Sequence, residues 1–228
     1  MHNFSKGVIG WYKAFGIDHL LPCTNSRSGD YRSVANPHQA SGSLENITSL
    51  DELREAVLSI DCLLKKVSKN TVFSDGDPCS SIMFIGEAPG HDEDEQGKPF
   101  VGQSGKLLNS MLSAIDLKRE EVYITNIVFW RPPSNRTPSS DEITMCLPYV
   151  RKHITLIRPK IIVLLGGVAI KAILETNDTV SSLRGRKMKI MGIDTIATFH
   201  PAYLLRSPGQ KALAFRDFIT IKKLYRYK

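Results

Sequence analysis

Residues 160–175 read KIIVLLGGVAIKAILE. A short apolar run closes on two glycines, and the apolar spacing behind them widens to the period of a helix over 167–175. The same unit returns along the chain. SIMFIG (81–86), VYITNIVF (122–129) and DTIATF (194–199) are further apolar runs, and helical patterns near 104–116, 140–157 and 208–226 alternate with them. Strand, helix and strand in repetition predict an α/β layered domain on a mainly parallel sheet, four-stranded by this count.

Upstream, DELREAVLSIDCLLKKV (51–67) has the spacing of one helix, with Leu53, Val57, Ile60 and Leu64 on a single stripe. Residues 1–50 are different in kind: an aromatic piece, GWYKAFGIDHLL, then a connector rich in Ser, Asn, Gly and Pro. The chain therefore divides into an N-terminal extension and linker, 1–50, and a folded α/β domain, 51–228. With 228 residues there is enough chain for one sizeable core. Hydrophobic residues at 42% and charged residues at 23% disfavour disorder, collagen and coiled coil. No apolar run reaches the roughly 18 residues of a membrane span, and the N-terminus lacks the pattern of a secretory signal. A cytoplasmic protein is expected, and nothing marks an obligate oligomer, so a monomer is expected too. The four cysteines, at 23, 62, 79 and 146, form neither a CxxC pair nor a disulfide scaffold.

Charge is unevenly spread. Residues 51–100 hold five Lys and Arg against eleven Asp and Glu, whereas 151–228 hold sixteen against four. A basic C-terminal third, with RGRKMK at 184–189, suits a polyanion such as nucleic acid, or is simply a solvated basic surface.

Ligands of open α/β sheets bind beyond the carboxyl ends of the strands, so the segments that follow the apolar runs decide function. After the first comes GEAPGHDEDEQGKPFVGQSG (86–105), where Glu87 leaves the strand towards the crevice and Phe100 is either a core plug or a stacking plate. GKPFVGQS approaches a phosphate loop but has Gln103 where the lysine belongs, which argues against an NTPase. The adjacent carboxylates of HDEDE cannot all face one ion, which argues against a metal nuclease. Asn126 sits in an apolar strand, either paired with backbone or kept to read the edge of a ligand. His200 precedes Pro201 at the exit of the fourth run.

Together GEAPGHDEDEQGKPFVGQSGKLL, YITNIVFWRPPSNRTPSSDEI and TFHPAYLLR, with CLPYV, IRPKIIVLLGG and SLRGR between them, resemble the family-four uracil-DNA glycosylases from about Asp51 onward. These bacterial and archaeal enzymes usually carry an iron–sulfur cluster. The resemblance implies a three-layer α/β/α sandwich around a central, mainly parallel four-stranded sheet. It also implies that uracil is flipped from DNA and its N-glycosidic bond hydrolysed, leaving an abasic site. By match to the family motifs, Phe100 would stack on the base, Asn126 would pair with its polar edge, and His200 would donate to O2 as the ring departs. Glu87 would orient water or stabilise the cationic sugar. Gly86, Ala88, Glu93 and Asp94 would complete the substrate pocket, with Glu93 on the side that excludes a 5-methyl group. Leu204, Leu205 and Arg206 would supply the wedge and a phosphate contact, helped by Arg184, Arg186 and Lys211. Read from the residues alone, HPAYLLR is equally the start of an amphipathic helix, with Leu204 in its core.

The chain departs from the family at the cluster. Motif to motif, the four cysteine positions fall on Ser59, Cys62, Trp130 and Cys146, so two thiolates are gone. A cubane cluster normally takes four, and no cluster or metal is expected; Cys79 and Cys23 lack the spacing to substitute. The KRRIH insertion of a branch that bonds covalently to uracil is absent between Trp130 and Glu142, which favours a hydrolytic enzyme. The competing reading is a DNA-binding protein of the same fold that has lost activity.

Overall fold

The computed structural model describes residues 44–226. Most of the extension, residues 1–43 with Cys23, lies outside the described residues.

The stretch 51–67 forms two helices, not one: α1 (Leu50–Leu58) and α2 (Leu63–Val67). The Ser59 hydroxyl turns back to the carbonyl of Ala56, a local bond that competes with helix propagation. Cys62 then takes extended backbone and N-caps α2, its sulfur accepting from the Lys65 N–H at 3.4 Å. Leu53, Val57 and Leu64 are buried as the stripe requires, while Ile60 is only half-buried in the break.

Six strands follow: β1 (Asp75–Gly76), β2 (Ile82–Gly86), β3 (Tyr123–Asn126), β4 (Ile161–Leu165), β5 (Lys187–Ile190) and β6 (Ile193–Thr198). They form one sheet in the order β1-β3-β2-β4-β6-β5. The four expected strands are its parallel centre, and β1 and β5 are antiparallel edges, so the sheet is mixed and six-stranded where four strands were expected. The edges were hidden for different reasons. β1 is two residues long, and β5 is the KMKI of the basic run, with Met188 turned inward and Lys187 and Lys189 outward. Lysines on an edge strand discourage pairing with another sheet.

The remaining helices are α3 (His91–Gln96), α4 (Gln103–Ser113), α5 (Ser140–Ile157), α6 (Gly167–Leu174), α7 (Val180–Leu183), α8 (Pro201–Arg206) and α9 (Lys211–Arg226). Helices cover both faces of the sheet. On one face Phe84, Val163 and Ile196 pack with Leu108 and Met111 of α4 and Phe215 and Phe218 of α9. On the other, Met83, Ile85 and Leu164 pack with Val150 and Ile154 of α5 and Ile170 of α6. The expected three layers are present. Because β2 has β3 on one side and β4 on the other, the chain reverses direction across the sheet there, and the carboxyl ends of β2 and β4 flank a crevice.

Candidate active site

The crevice is a cleft of about 690 Å³. Its floor is built where β2 and β3 end side by side, with Gly86 opposite Asn126 in the register. A Cβ on Gly86 would stand 2.3 Å from Asn126 Oδ1 and 2.5 Å from Phe100 Cζ, so only glycine lets the amide and the ring share this corner. Asn126 is 1% exposed, and its Oδ1 has no hydrogen-bond partner among the described residues. Such an orphan costs about 1–3 kcal/mol.

Phe100 is held from behind. Its backbone lies in the left-handed region, φ 53°, where a bulky residue is strained. Arg119 fixes it there by donating to the carbonyls of Phe100 (2.8 Å) and Pro99 (2.5 Å), while its Nε pairs with Asp75 at 2.7 Å. Gly105 of α4 passes so close that a Cβ would meet the Phe100 carbonyl oxygen at 1.9 Å. The ring faces the cleft and lies 5.4 Å from the imidazole of His200, tilted by 32°.

His200 stands two residues beyond β6 and N-caps α8. Its Nδ1 accepts from the Ala202 N–H at 3.1 Å, so a neutral ring carries its proton on Nε2. Burial, with the charge of Arg206 nearby, pushes its pKa down to about 4. The imidazole is therefore a neutral donor at neutral pH. Gly166, at φ +90°, packs its α-carbon against the His200 side chain.

The acidic run divides its duties. Glu87 lines the cleft half-buried, and burial raises its pKa against a hydrogen bond from Thr137 and the charge of Arg206. Ala88 and Glu93 line the cleft too. Glu93, however, spends its carboxylate on backbone: it accepts from the N–H groups of Gly90 (3.1 Å), Val101 (2.9 Å) and Gly102 (2.9 Å). Asp94 is not among the lining residues and accepts from the N–H groups of Lys69 and Asn70.

Of the residues matched to DNA contacts, Leu205 is 43% exposed and Arg206 is exposed at the cleft, whereas Leu204 is fully buried in the core. Arg186 is exposed before β5, and Lys211 opens α9. Arg184 turns inward to a buried partner, Asp217. Three residues were not singled out in the sequence: Arg119, Thr137 and Tyr203. Tyr203 lines the cleft and packs on Phe199 at 5.2 Å. Arg119 had no signal, being one more charge in KREE, while Thr137 and Tyr203 lay inside matched motifs.

A family profile, Uracil DNA glycosylase superfamily, matches residues 73–221. The chain belongs to that superfamily. Within it, the chain is 42% identical over 186 residues to a type-4 uracil-DNA glycosylase of Sulfurisphaera tokodaii, covering 77% of this chain and 84% of the relative. A type-4 uracil-DNA glycosylase of Archaeoglobus fulgidus is 40% identical over 77% of this chain and 93% of its own length. One of Thermotoga maritima is 39% identical over 64% of this chain and 77% of its own. These likenesses place the chain among the type-4 uracil-DNA glycosylases.

At the positions where the type-4 family pattern puts its cluster cysteines, the side chains present do not form a thiolate set. Trp130 is fully buried, its Nε1 donating to Thr71 Oγ1 at 2.8 Å and its ring edge-on to Phe129. Burial pushes the Cys146 thiol up to about 12, and Cys62 and Ser59 are engaged in helix ends. Among the described residues no group of three or more His, Cys, Asp or Glu is placed to hold a metal ion. The residues do not fit a four-thiolate cluster.

Proposed function

We propose that this glycosylase receives an extruded uracil between Phe100, Asn126 and His200 and hydrolyses its bond to deoxyribose. Family membership makes the chain an N-glycosyl hydrolase of base excision repair. The observation that carries the site reading is the orphaned, buried amide of Asn126, facing a cleft whose other walls are an aromatic plate and a neutral imidazole donor. Uracil offers the complement: N3–H for Oδ1, O4 for Nδ2, a flat face for Phe100, and O2 for the Nε2–H of His200. As the C1′–N1 bond breaks, its electron pair passes into the ring and is shared by O2, where a preorganised donor acts most strongly. The deoxyribose is left cationic, and the Glu87 carboxylate stabilises it and orients the water whose oxygen bonds to C1′; the water's proton leaves to solvent.

DNA is held outside the cleft by Arg206 and Arg186, with Leu205 as the apolar wedge that occupies the space of the flipped base. No helix among the described residues is long and apolar enough to cross a membrane. The reaction runs without an iron–sulfur cluster in this reading, because Ser59 and the buried Trp130 stand where two of the four thiolates would be.

The test is uracil release from single- and double-stranded oligonucleotides in EDTA, wild type beside Asn126→Ala and His200→Ala. Release by the wild type and losses of about 100-fold or more in both variants are expected. No release by the wild type favours the inactive DNA-binding reading, and full activity in both variants refutes the site. Protein purified anaerobically should show no absorbance near roughly 400 nm, the region of iron–sulfur colour.

A further inference from the structure

Arg184 belongs to the basic run that reads as a nucleic-acid surface, yet its guanidinium points into the protein. Nε donates to Asp217 Oδ2 at 3.1 Å and Nη2 to Asp217 Oδ1 at 2.6 Å, and Nη2 also reaches the carbonyl of Leu213. Asp217, on α9, is 1% exposed. Its Oδ2 takes a third bond, from the Thr198 hydroxyl at 2.7 Å. The Arg184 guanidinium also lies over the ring of Phe199, 5.6 Å from its centroid. Thr198 and Phe199 are the two residues that deliver His200.

The backbone is tied into the same knot. The Gly185 N–H donates to the carbonyl of Ala197 (3.0 Å), and the Gly166 N–H to that of Thr198 (2.9 Å). Gly166 in turn packs on His200. Gly185 has φ +68°, and a Cβ there would meet Asp217 Oδ1 at 2.6 Å, so the loop is shaped to bring its backbone against this carboxylate. A buried ion pair is an expensive way to gain stability, since desolvation takes back most of the attraction. What it does give is a fixed direction, because a guanidinium fork and a carboxylate meet in one geometry.

We propose that Arg184 and Asp217 are positioning residues that set the reach of His200 into the cleft, through Thr198 and Phe199, and that Arg184 is not a phosphate contact. This rests on the reading of His200 as the donor to the departing base. The pair aligns the exit of β6 at two successive residues, and an imidazole displaced by about 1 Å loses on the order of 100-fold in rate while the base still binds.

Arg184→Lys, Thr198→Val and Asp217→Asn are compared with wild type for kcat and KM of uracil release, for the salt dependence of DNA affinity, and for the His200 imidazole resonances by NMR. The expected result is a kcat lower by about 10- to 100-fold, with KM within about 2-fold. The slope of log affinity against log salt stays as in wild type, and the His200 signals are displaced. Arg184→Ala is measured beside them: if Arg184 gripped a phosphate, it would flatten that slope by about one unit and leave the His200 signals in place, which overturns the proposal. Wild-type kcat in Arg184→Lys and Thr198→Val overturns it too, as does a loss of kcat with unmoved His200 signals. Should Asp217→Asn fail to fold, Thr198→Val removes only a hydroxyl and carries the test with Arg184→Lys. A wild type without turnover would reject the glycosylase reading, while the His200 signals would still report whether the pair holds that ring.

Discussion

An amide oxygen that is buried without a partner weakens the protein that keeps it, so Asn126 separates activity from stability more cleanly than any other side chain in the cleft. Replacing it by Ala removes the orphan together with the proposed base contact. We expect Asn126→Ala to lose about 100-fold or more in kcat/KM while its melting temperature stays level or rises; a large fall in melting temperature would mean the amide is structural. In the proposed mechanism Glu87 governs the acid side of the activity. It acts as a carboxylate, and burial lifts its pKa above the ordinary value, so activity falls on acidification at a pH higher than the roughly 4.3 of a free glutamate. His200, pushed down to about 4, is a neutral donor at the pH where Glu87 is ionised. The Thr137 hydrogen bond favours the ionised form of Glu87, and its loss in Thr137→Val must move the acid limb of the kcat/KM profile to higher pH. A limb that stays put, or moves down, assigns it to another group.

The elements around the cleft are placed by backbone as much as by side chains. The loop that carries Phe100 is closed by Glu93, whose carboxylate gathers three N–H groups from the start of α3 and the approach to α4. Hydrogen bonds to a charged group contribute about 1.5–3 kcal/mol each. Glu93→Ala should therefore lower the unfolding free energy by roughly 3 kcal/mol in urea titrations, since water reaches some of the freed donors. This element also marks how far the sequence could be read. The four central strands and the helices α4, α5, α6 and α9 were legible because apolar runs of strand length alternate with helical spacing. Glu93 and Asp94 were legible as an acidic pair near the pocket, but not as acceptors for the amides of residues 69, 70, 90, 101 and 102, because loop closure leaves no periodic mark. Arg119 was illegible for the same reason. The partners that fix Phe100 are backbone carbonyls, and every residue has one. Arg184 was misleading, because a run of like charges predicts a solvated face and nothing in RGRKMK tells which arginine finds an aspartate thirty-three positions later.

Across the whole molecule, buried titratable groups set the pH range of the fold. His153 sits among the rings of Phe73, Tyr123 and Phe129, and neither ring nitrogen has a hydrogen-bond partner among the described residues. Burial pushes its pKa down to about 3. Its unfolded value is near 6.5, so below that pH the unfolded chain takes up a proton that the folded chain refuses, and stability is lost as pH falls towards 3. His200, at about 4, adds a loss of the same sign. Asp217 works against them: burial, opposed by Arg184 and Thr198, lifts its pKa above the usual carboxylate range, so acid favours the folded state at that group. Each group contributes about 1.4 kcal/mol per pH unit inside its window. The two histidine losses leave the protein weaker at pH 5 than at pH 7 in urea titrations. At the other end the Cys146 thiol and the Tyr123 phenol are each pushed up to about 12. They stay protonated in the folded chain while the unfolded chain ionises, so stability also declines above about pH 9. His153→Phe keeps an aromatic ring in the same box and removes the largest acid-side loss. It should flatten the slope between pH 6.5 and 5 by about 1.4 kcal/mol per unit, and an unchanged slope would mean that His153 is already charged, or hydrated, in the native protein.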